Sequence, residues 1–293
     1  MRPNLKYALI FLTPITVVIL ILYAMVLWSV DVSFTYWYGI LPSWKFVGLD
    51  NYYYLIQTER FWIDLKNNSL WLVLFILPTT FLGLFLAYAI DRVGRGEGVF
   101  RAIFLYPTAL SFVVTGNVWA WMYDPDVGVL NTILKSLGLG FLQSRWITDP
   151  NIALYCVIGA AIWQYTGFAM IIYLSAIKGI PPAMIESAIV DGASSMQILR
   201  HVIIPQVRHA TLVVTSLLAI FALRVFDLVW VMTGGGPAYS TDVLAIYMYI
   251  ATFRQHLVAV GAALSVVIFL LSIVIVIPYV KWAVKRWLGL GEG

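Results

Sequence analysis

Long apolar runs alternate with short polar interruptions along this chain. Runs of about 20 residues or more recur at 7–30, 67–90, 100–121, 151–176, 207–232 and 258–280. A helix rising 1.5 Å per residue crosses a bilayer in roughly 20 residues, so each run is long enough to span. Barrel strands need only about ten alternating residues, and these runs are far longer. Since only helices and closed barrels satisfy their backbone groups in lipid, the pattern predicts an all-α polytopic membrane protein of about six spans. The first run contains Pro14 but exceeds a signal-peptide core, and no small-x-small site follows, so it reads as a retained span. The interruption at 31–66 is rich in Trp and Tyr, residues that favour the headgroup level. That at 123–150 has room for a short surface helix near 130–137.

Charge then orients the pattern. An even number of spans puts both termini on one side, which collects Arg2, Lys6, Arg92, Arg95, Arg101, Lys178, Arg200, Arg208, Lys281, Lys285 and Arg286. The other side holds only Lys45, Arg60, Lys66, Lys135, Arg145 and Arg254, interspersed with acids. The positive-inside rule therefore makes the termini cytoplasmic, in a multi-pass protein of the cell (inner) membrane. Composition agrees: of 293 residues 62% are hydrophobic and 11% charged, against roughly 25% charged in soluble domains. Residues 1–293 read as a single membrane domain. The net charge of +4 is scattered over loops, which excludes a nucleic-acid face. Cys156 stands alone in an apolar run, so neither a disulfide framework nor a thiolate metal site is available.

One interruption, 179–205, is a polar island that reads as two short helices joined by a turn. Pro181-Pro182 suit a helix start, and Asp191-Gly192 a helix end, where glycine adopts the left-handed conformation. Ser194 and Gln197 have capping-box spacing, and Pro205 breaks or kinks the chain before the fifth span. Within it Glu186-Ser187-Ala188, Asp191-Gly192-Ala193 and Ile204-Pro205 resemble the EAA loop of ABC importer permeases. Ser187 replaces the usual Ala and Ile204 the usual Leu, both mild changes. The resemblance implies a cytoplasmic coupling helix between spans four and five, seated in an ATPase subunit through Glu186, Ser187, Ala188, Asp191, Gly192, Ala193 and Pro205.

Other stretches narrow the resemblance. Phe226-Asp227 followed by Thr233-Gly-Gly-Gly-Pro237, and Ala262-Ala-Leu-Ser265, are similar to the carbohydrate-uptake subgroup. Tyr106-Pro-Thr-Ala-Leu-Ser111, Val114-Thr-Gly116 and Trp119-x-Trp121 look most like its glucose/mannose-type permeases. The resemblance implies a permease subunit of an ATP-driven importer of a monosaccharide or small oligosaccharide. It also implies partners: an ATPase dimer carrying ATP and Mg, a second and non-identical permease, and an extracytoplasmic sugar-binding protein. Membrane lipid surrounds the chain, which binds no cofactor of its own.

No nucleotide motif, metal-ligand spacing or catalytic constellation appears, so the chain itself is not expected to be an enzyme. The glycines of 91–98 lack the Gly-Lys-Ser/Thr that a phosphate cradle needs. His201, His209 and His256 lie towards the membrane surfaces and read as solvated or structural. At membrane depth, Arg224 and Asp227 are expected as an i,i+3 pair on one helix face. Each alone costs about 2.5–3.5 kcal/mol at a helix centre, so mutual neutralisation is expected, either in the path or between helices. Gln164, Tyr165 and Phe168 in the fourth span face Leu218, Phe221, Ala222 and Val225 in the fifth as candidate path walls. This follows from the resemblance, which lines the sugar cavity with the helices flanking the coupling loop. Asn117, Trp121 and Trp163 extend that polar and aromatic character. The alternative is an ion-coupled secondary transporter, which usually needs unpaired membrane acids or repeated broken helices, and no internal repeat is evident.

Overall fold

A computed structural model describes residues 5–287, which form helices and connecting turns with no strand among the described residues. In chain order these are α1 (Leu5–Ser33), α2 (Asp50–Gln57), α3 (Glu59–Asp91), α4 (Glu97–Leu105), α5 (Phe112–Met122), α6 (Val129–Ser136) and α7 (Ala153–Lys178). There follow α8 (Pro182–Val190), α9 (Ser195–Ile198), α10 (Ile204–Gln206), α11 (Arg208–Leu223), α12 (Asp227–Met232), α13 (Leu244–Tyr249) and α14 (Val258–Trp287). Among the described residues four helices are long and apolar enough to cross a membrane, and two bent pairs bring the number to as many as six. Arg2, assigned above to the cytoplasmic side, lies outside the described residues.

The chain divides into two compact units, one ending at Phe61 and including Tyr247–Leu270, the other holding Trp62–Ile246 and the chain after Leu270. In the first unit, α1 is exposed on nearly all sides from Leu12 to Trp28, as an all-apolar helix facing lipid or another chain would be. Its end is tied by Asn51, which donates to the carbonyls of Ser33 (2.8 Å) and Thr35 (2.9 Å) and accepts from the Tyr38 hydroxyl (2.9 Å). An isolated antiparallel bridge between Thr35 and Phe46 closes the loop that follows.

The second unit is built around α7, whose Val157, Ala160, Ala161, Ala169, Met170 and Tyr173 are buried. Small residues let its neighbours approach, as is usual where lipid offers no hydrophobic drive between helices. A Cβ on Gly83 would lie 2.5 Å from that of Ala169, and one on Gly167 would overlap the carbonyl oxygen of Phe104. Lys178 closes α7 onto Glu97 of α4 at 2.6 Å, and Arg101 stands 3.6 Å from the same carboxylate. The connection after α5 is organised by Asn131, which donates to Pro125 and Ser144 and accepts from the Trp146 indole at 2.8 Å. At its start Asp124 accepts the amides of Asp126 and Val127 (2.9 Å each), and these hold its carboxyl below the usual aspartate range.

Three expectations are corrected. The helix of the second span begins at Glu59, so Arg60, Asp64 and Lys66, assigned to an outer loop, stand on α3. The run 100–121 is not one helix: α4 continues through the helical turn Tyr106–Ala109, and the chain then bends by 96° at Leu110–Ser111 into α5. Pro107 cannot donate, and Ser111, extended at φ −67 and ψ 150, starts α5 afresh by accepting the Val114 amide at 3.3 Å. The run 207–232 is interrupted too, α11 ending at Leu223 and α12 beginning at Asp227.

The island at 179–205 folds largely as expected. α8 starts at Pro182, Gly192 turns the chain at φ +77, and the Ser194–Gln197 capping box forms. Pro205, however, does not make the break. It sits in α10, which continues directly from the wide helical turn Leu199–Ile203, and the 70° bend falls at Val207.

Candidate functional site

The two interrupted spans meet α3 and α7 around a cavity of about 350 Å³ in the second unit. That is within the usual range of small-molecule pockets, roughly 300–1,000 Å³. α3 contributes Trp71 and Phe75, and the first break contributes Thr108 and Phe112. α7 contributes Ala161, Gln164, Tyr165 and Phe168, on one face by their i, i+3, i+4 and i+7 spacing. The second break contributes Phe221 and the stretch from Arg224 to Leu228.

Breaking a helix inside a membrane leaves backbone groups that must find partners. At the first break the free carbonyl of Leu110 accepts the Gln164 amide nitrogen at 2.9 Å, and Gln164 is 2% exposed. Gln164, expected to reach a ligand, thus has its donor already committed to the fold. α12 then packs on α5 through Gly116, where a Cβ would stand 2.8 Å from Val231.

Tyr165 is the hub of the aromatic wall. Its ring lies 4.8 Å from Phe221, 5.3 Å edge-on from Phe75 and 5.8 Å stacked on Phe112. Phe168 meets Phe221 edge to face at 5.9 Å. Such pairs are favourable in themselves and fix the rings that border the cavity.

The only charged residues lining the cavity are Arg224 and Asp227. They were expected as neighbours on a helix face, but the break separates them: Arg224 caps α11, Phe226 has φ −136 and ψ −64, and Asp227 opens α12. Both are exposed, and no ion pair joins them. Exposure within the cavity replaces mutual neutralisation as the way these charges are accommodated.

Five other candidates lie outside this lining, and two of them, Leu218 and Ala222, are buried. Asn117 bonds the Val113 carbonyl of its own helix at 2.8 Å, and Trp121, one turn on, is 56% exposed. Both share the face of α5 turned away from the Gly116 contact. Trp163 packs edge to face on Trp119 at 5.7 Å. Conversely, Trp71, Phe75, Thr108 and Phe112 were not among the candidates. The i,i+4 spacing of Trp71 and Phe75, and Pro107 with Ser111 inside an apolar run, were the available signals.

On the 179–205 island, Glu186, Ser187, Asp191, Gly192 and Pro205 are exposed, with Ala188 and Ala193 half-buried. Apolar side chains accompany them at the surface: Val190 is 86% exposed and Met196 69%. Apart from its two chain neighbours, no described residue comes within 4 Å of a Cβ built on Gly192. The island is tied back to the core where the Tyr88 hydroxyl donates to the Ser195 carbonyl at 2.7 Å, with Arg92 over the Tyr88 ring.

Comparison with known proteins places this geometry. Residues 79–286 match the family described as binding-protein-dependent transport system inner membrane component. A probable ABC transporter permease protein of Pyrococcus horikoshii is 48% identical over 284 residues, 97% of each chain. The xylose/arabinose import permease protein XacH of Haloferax volcanii is 34% identical over 257 residues, 87% of this chain and 80% of that one. Among solved structures, a bacterial ABC transporter that imports the acidic polysaccharide alginate superposes with a TM-score of 0.81. It is 26% identical, over 97% of this chain and 96% of that one. The chain therefore belongs to the binding-protein-dependent transport system inner membrane components, as a multi-pass permease subunit.

Proposed function

We propose that the chain is one permease subunit of an ATP-driven importer of a neutral sugar, with the cavity between the two broken spans as its half of the path. One observation carries this reading. The cavity is walled by aromatic rings centred on Tyr165, and its only charges, Arg224 and Asp227, have opposite signs and are exposed. Aromatic rings stack on the apolar faces of sugars, and a wall whose charges cancel favours a neutral ligand over an anionic one. Two of the three relatives named above carry a saccharide by description, xylose/arabinose for XacH and the acidic polysaccharide alginate for the solved transporter. Glucose- or mannose-like monosaccharides and small oligosaccharides are the compounds to try first.

The island at 179–205 is the proposed dock for the ATPase. Val190 and Met196 are apolar and exposed on a polar, basic-flanked loop, a combination that marks an interaction surface. ATP and Mg would then be held by the partner, which would hydrolyse ATP for the pair. With one such loop per chain, a second, non-identical permease completes the path, and an external binding protein delivers the sugar. Both termini and the loop would be cytoplasmic, from the bias of basic residues. Alternating access would open the cavity outward in the closed ATP-bound state and inward after hydrolysis. An ion-coupled carrier is not favoured, because the family couples to a binding protein.

The test is a tagged pull-down in mild detergent followed by ATPase assay with binding protein and candidate sugars. Co-purification of an ATPase and a second permease, with stimulation by a neutral sugar, is expected. A homogeneous chain without an ATPase partner would overturn the reading.

A further inference from the structure

The stretch between α11 and α13 is fastened at both ends by a single side chain. α11 stops at Leu223 and α13 starts at Leu244, and such helix ends leave carbonyls and amides without helical partners. Asn68 of α3, 2% exposed, donates to the Ala222 carbonyl at 3.4 Å and accepts the Leu244 amide at 3.0 Å. An asparagine amide carries a donor and an acceptor side by side, which suits it to serve both ends. The flipped amide would set oxygen against oxygen and N–H against N–H, so the network itself determines the orientation.

The preceding residue holds the same stretch further along. Asn67 donates to the Asp242 carbonyl at 2.8 Å and also faces those of Ser240 (3.2 Å) and Tyr239 (3.3 Å). Within the stretch, the Thr233 and Thr241 hydroxyls meet at 2.7 Å, and Thr241 donates to the Gly236 carbonyl at 2.8 Å. Gly235, at φ +92, packs against Asp242, whose Oδ1 would stand 2.8 Å from an added Cβ. Residues 223–243 thus cohere as a small module with its base on α3. That module carries Arg224, Val225, Phe226, Asp227 and Leu228, the charged wall of the cavity. Nothing in Arg224-Val-Phe226 interrupts a helix by itself, since it holds neither Pro nor Gly.

We propose that Asn68 is a positioning residue, the pin that mounts the 223–243 module and sets where the Arg224–Asp227 wall stands. The functional part rests on the cavity being the sugar path; the mechanical part does not. Asn68→Leu keeps the bulk and removes both bonds, while Asn68→Asp keeps the acceptor for Leu244 and turns repulsive towards Ala222.

The experiment uses the assembled complex in detergent, with Cys156→Ala and Val225→Cys as the parent. It measures labelling of the new thiol by a hydrophilic maleimide, then the apparent KM for sugar uptake. Labelling is expected to accelerate about tenfold with Asn68→Leu and about threefold with Asn68→Asp, as lost buried hydrogen bonds free the wall. KM should rise in the same order, with sugar-free ATPase activity at the parent level, which general damage would not spare. If Asn68→Leu is not recovered from membranes, Asn68→Asp carries the same comparison. Labelling at the parent rate overturns the pin. Faster labelling with an unchanged KM keeps the pin and instead counts against the cavity as the sugar path.

Discussion

The cavity wall and the 179–205 island are both polar interruptions of long apolar sequence, yet they are made in different ways. The island is encoded locally. Pro182 opens α8, Gly192 turns at φ +77, and Ser194 caps α9 onto Gln197 three residues away. The wall is assembled at a distance: Gln164 reaches Leu110 across 54 positions, and Asn68 reaches Ala222 across 154. A surface loop can rely on water for unpaired groups, whereas a break inside a membrane needs a partner from another helix. Perturbing the island should therefore disturb coupling and spare the fold, while removing a long-range bond that supports the wall should disturb the fold.

Gly192→Glu gives the largest expected effect. A residue with a Cβ is strained at this φ by about 1–2 kcal/mol, and the charge is placed on the proposed ATPase dock. ATPase co-purification should be lost while the chain itself melts within a few degrees of the parent. Normal assembly and normal stimulated ATPase would contradict the dock.

Gln164→Leu comes next, because it removes the amide that the part-buried Leu110 carbonyl accepts, at a cost of about 1 kcal/mol. Thermal unfolding of the purified chain should start at lower temperature, and an unchanged melting curve would show that the first break needs no support from α7.

How much of this could be read from sequence follows the same division. The apolar runs at 7–30 and 151–176 match the helices α1 and α7 to within a few residues, because length and hydropathy are local properties. The island's caps are equally local. The start of α3 was missed because Glu59 to Lys66 is charged and yet helical, a stretch that composition assigns to a loop. The first break had a sequence signal in Pro107 and Ser111, but proline within an apolar run also occurs in Pro78, which α3 carries without interruption. Only contacts distinguish the two cases. The second break had no signal in its own residues, and so Arg224 and Asp227 were read as a helical pair. Asn117, Trp121 and Trp163 were chosen by residue type at membrane depth, which says nothing of the face on which a side chain stands.

Asp227→Asn probes the wall more gently. The residue is exposed and bears no ion pair, so expression should be unaffected, while the wall gains a net positive charge. Uptake of the neutral sugar should fall roughly threefold to tenfold, on the scale of one ordinary hydrogen bond, mainly through KM. Unchanged uptake at normal expression would remove Asp227 from the path.

The smallest effect concerns the connection after α5. Asp124 titrates below the ordinary aspartate range because the Asp126 and Val127 amides bind its ionised form. The turn's added stability is therefore present above the ordinary range and fades as pH falls through the lowered value. Hydrogen exchange at Val127 should accelerate only under those acid conditions, and a flat profile would show that the carboxylate does not hold the turn.

The most direct test of the central claim is sugar protection of single thiols in the assembled complex, with Cys156→Ala as background. Phe168→Cys places a thiol in the cavity lining, and Trp163→Cys places one outside that lining on the same helix. With binding protein, ATP and saturating neutral sugar, labelling at 168 should slow several-fold relative to sugar-free complex, while labelling at 163 stays the same. Protection at 163 and none at 168 would mean that the sugar passes elsewhere and that the cavity between the broken spans is not its path.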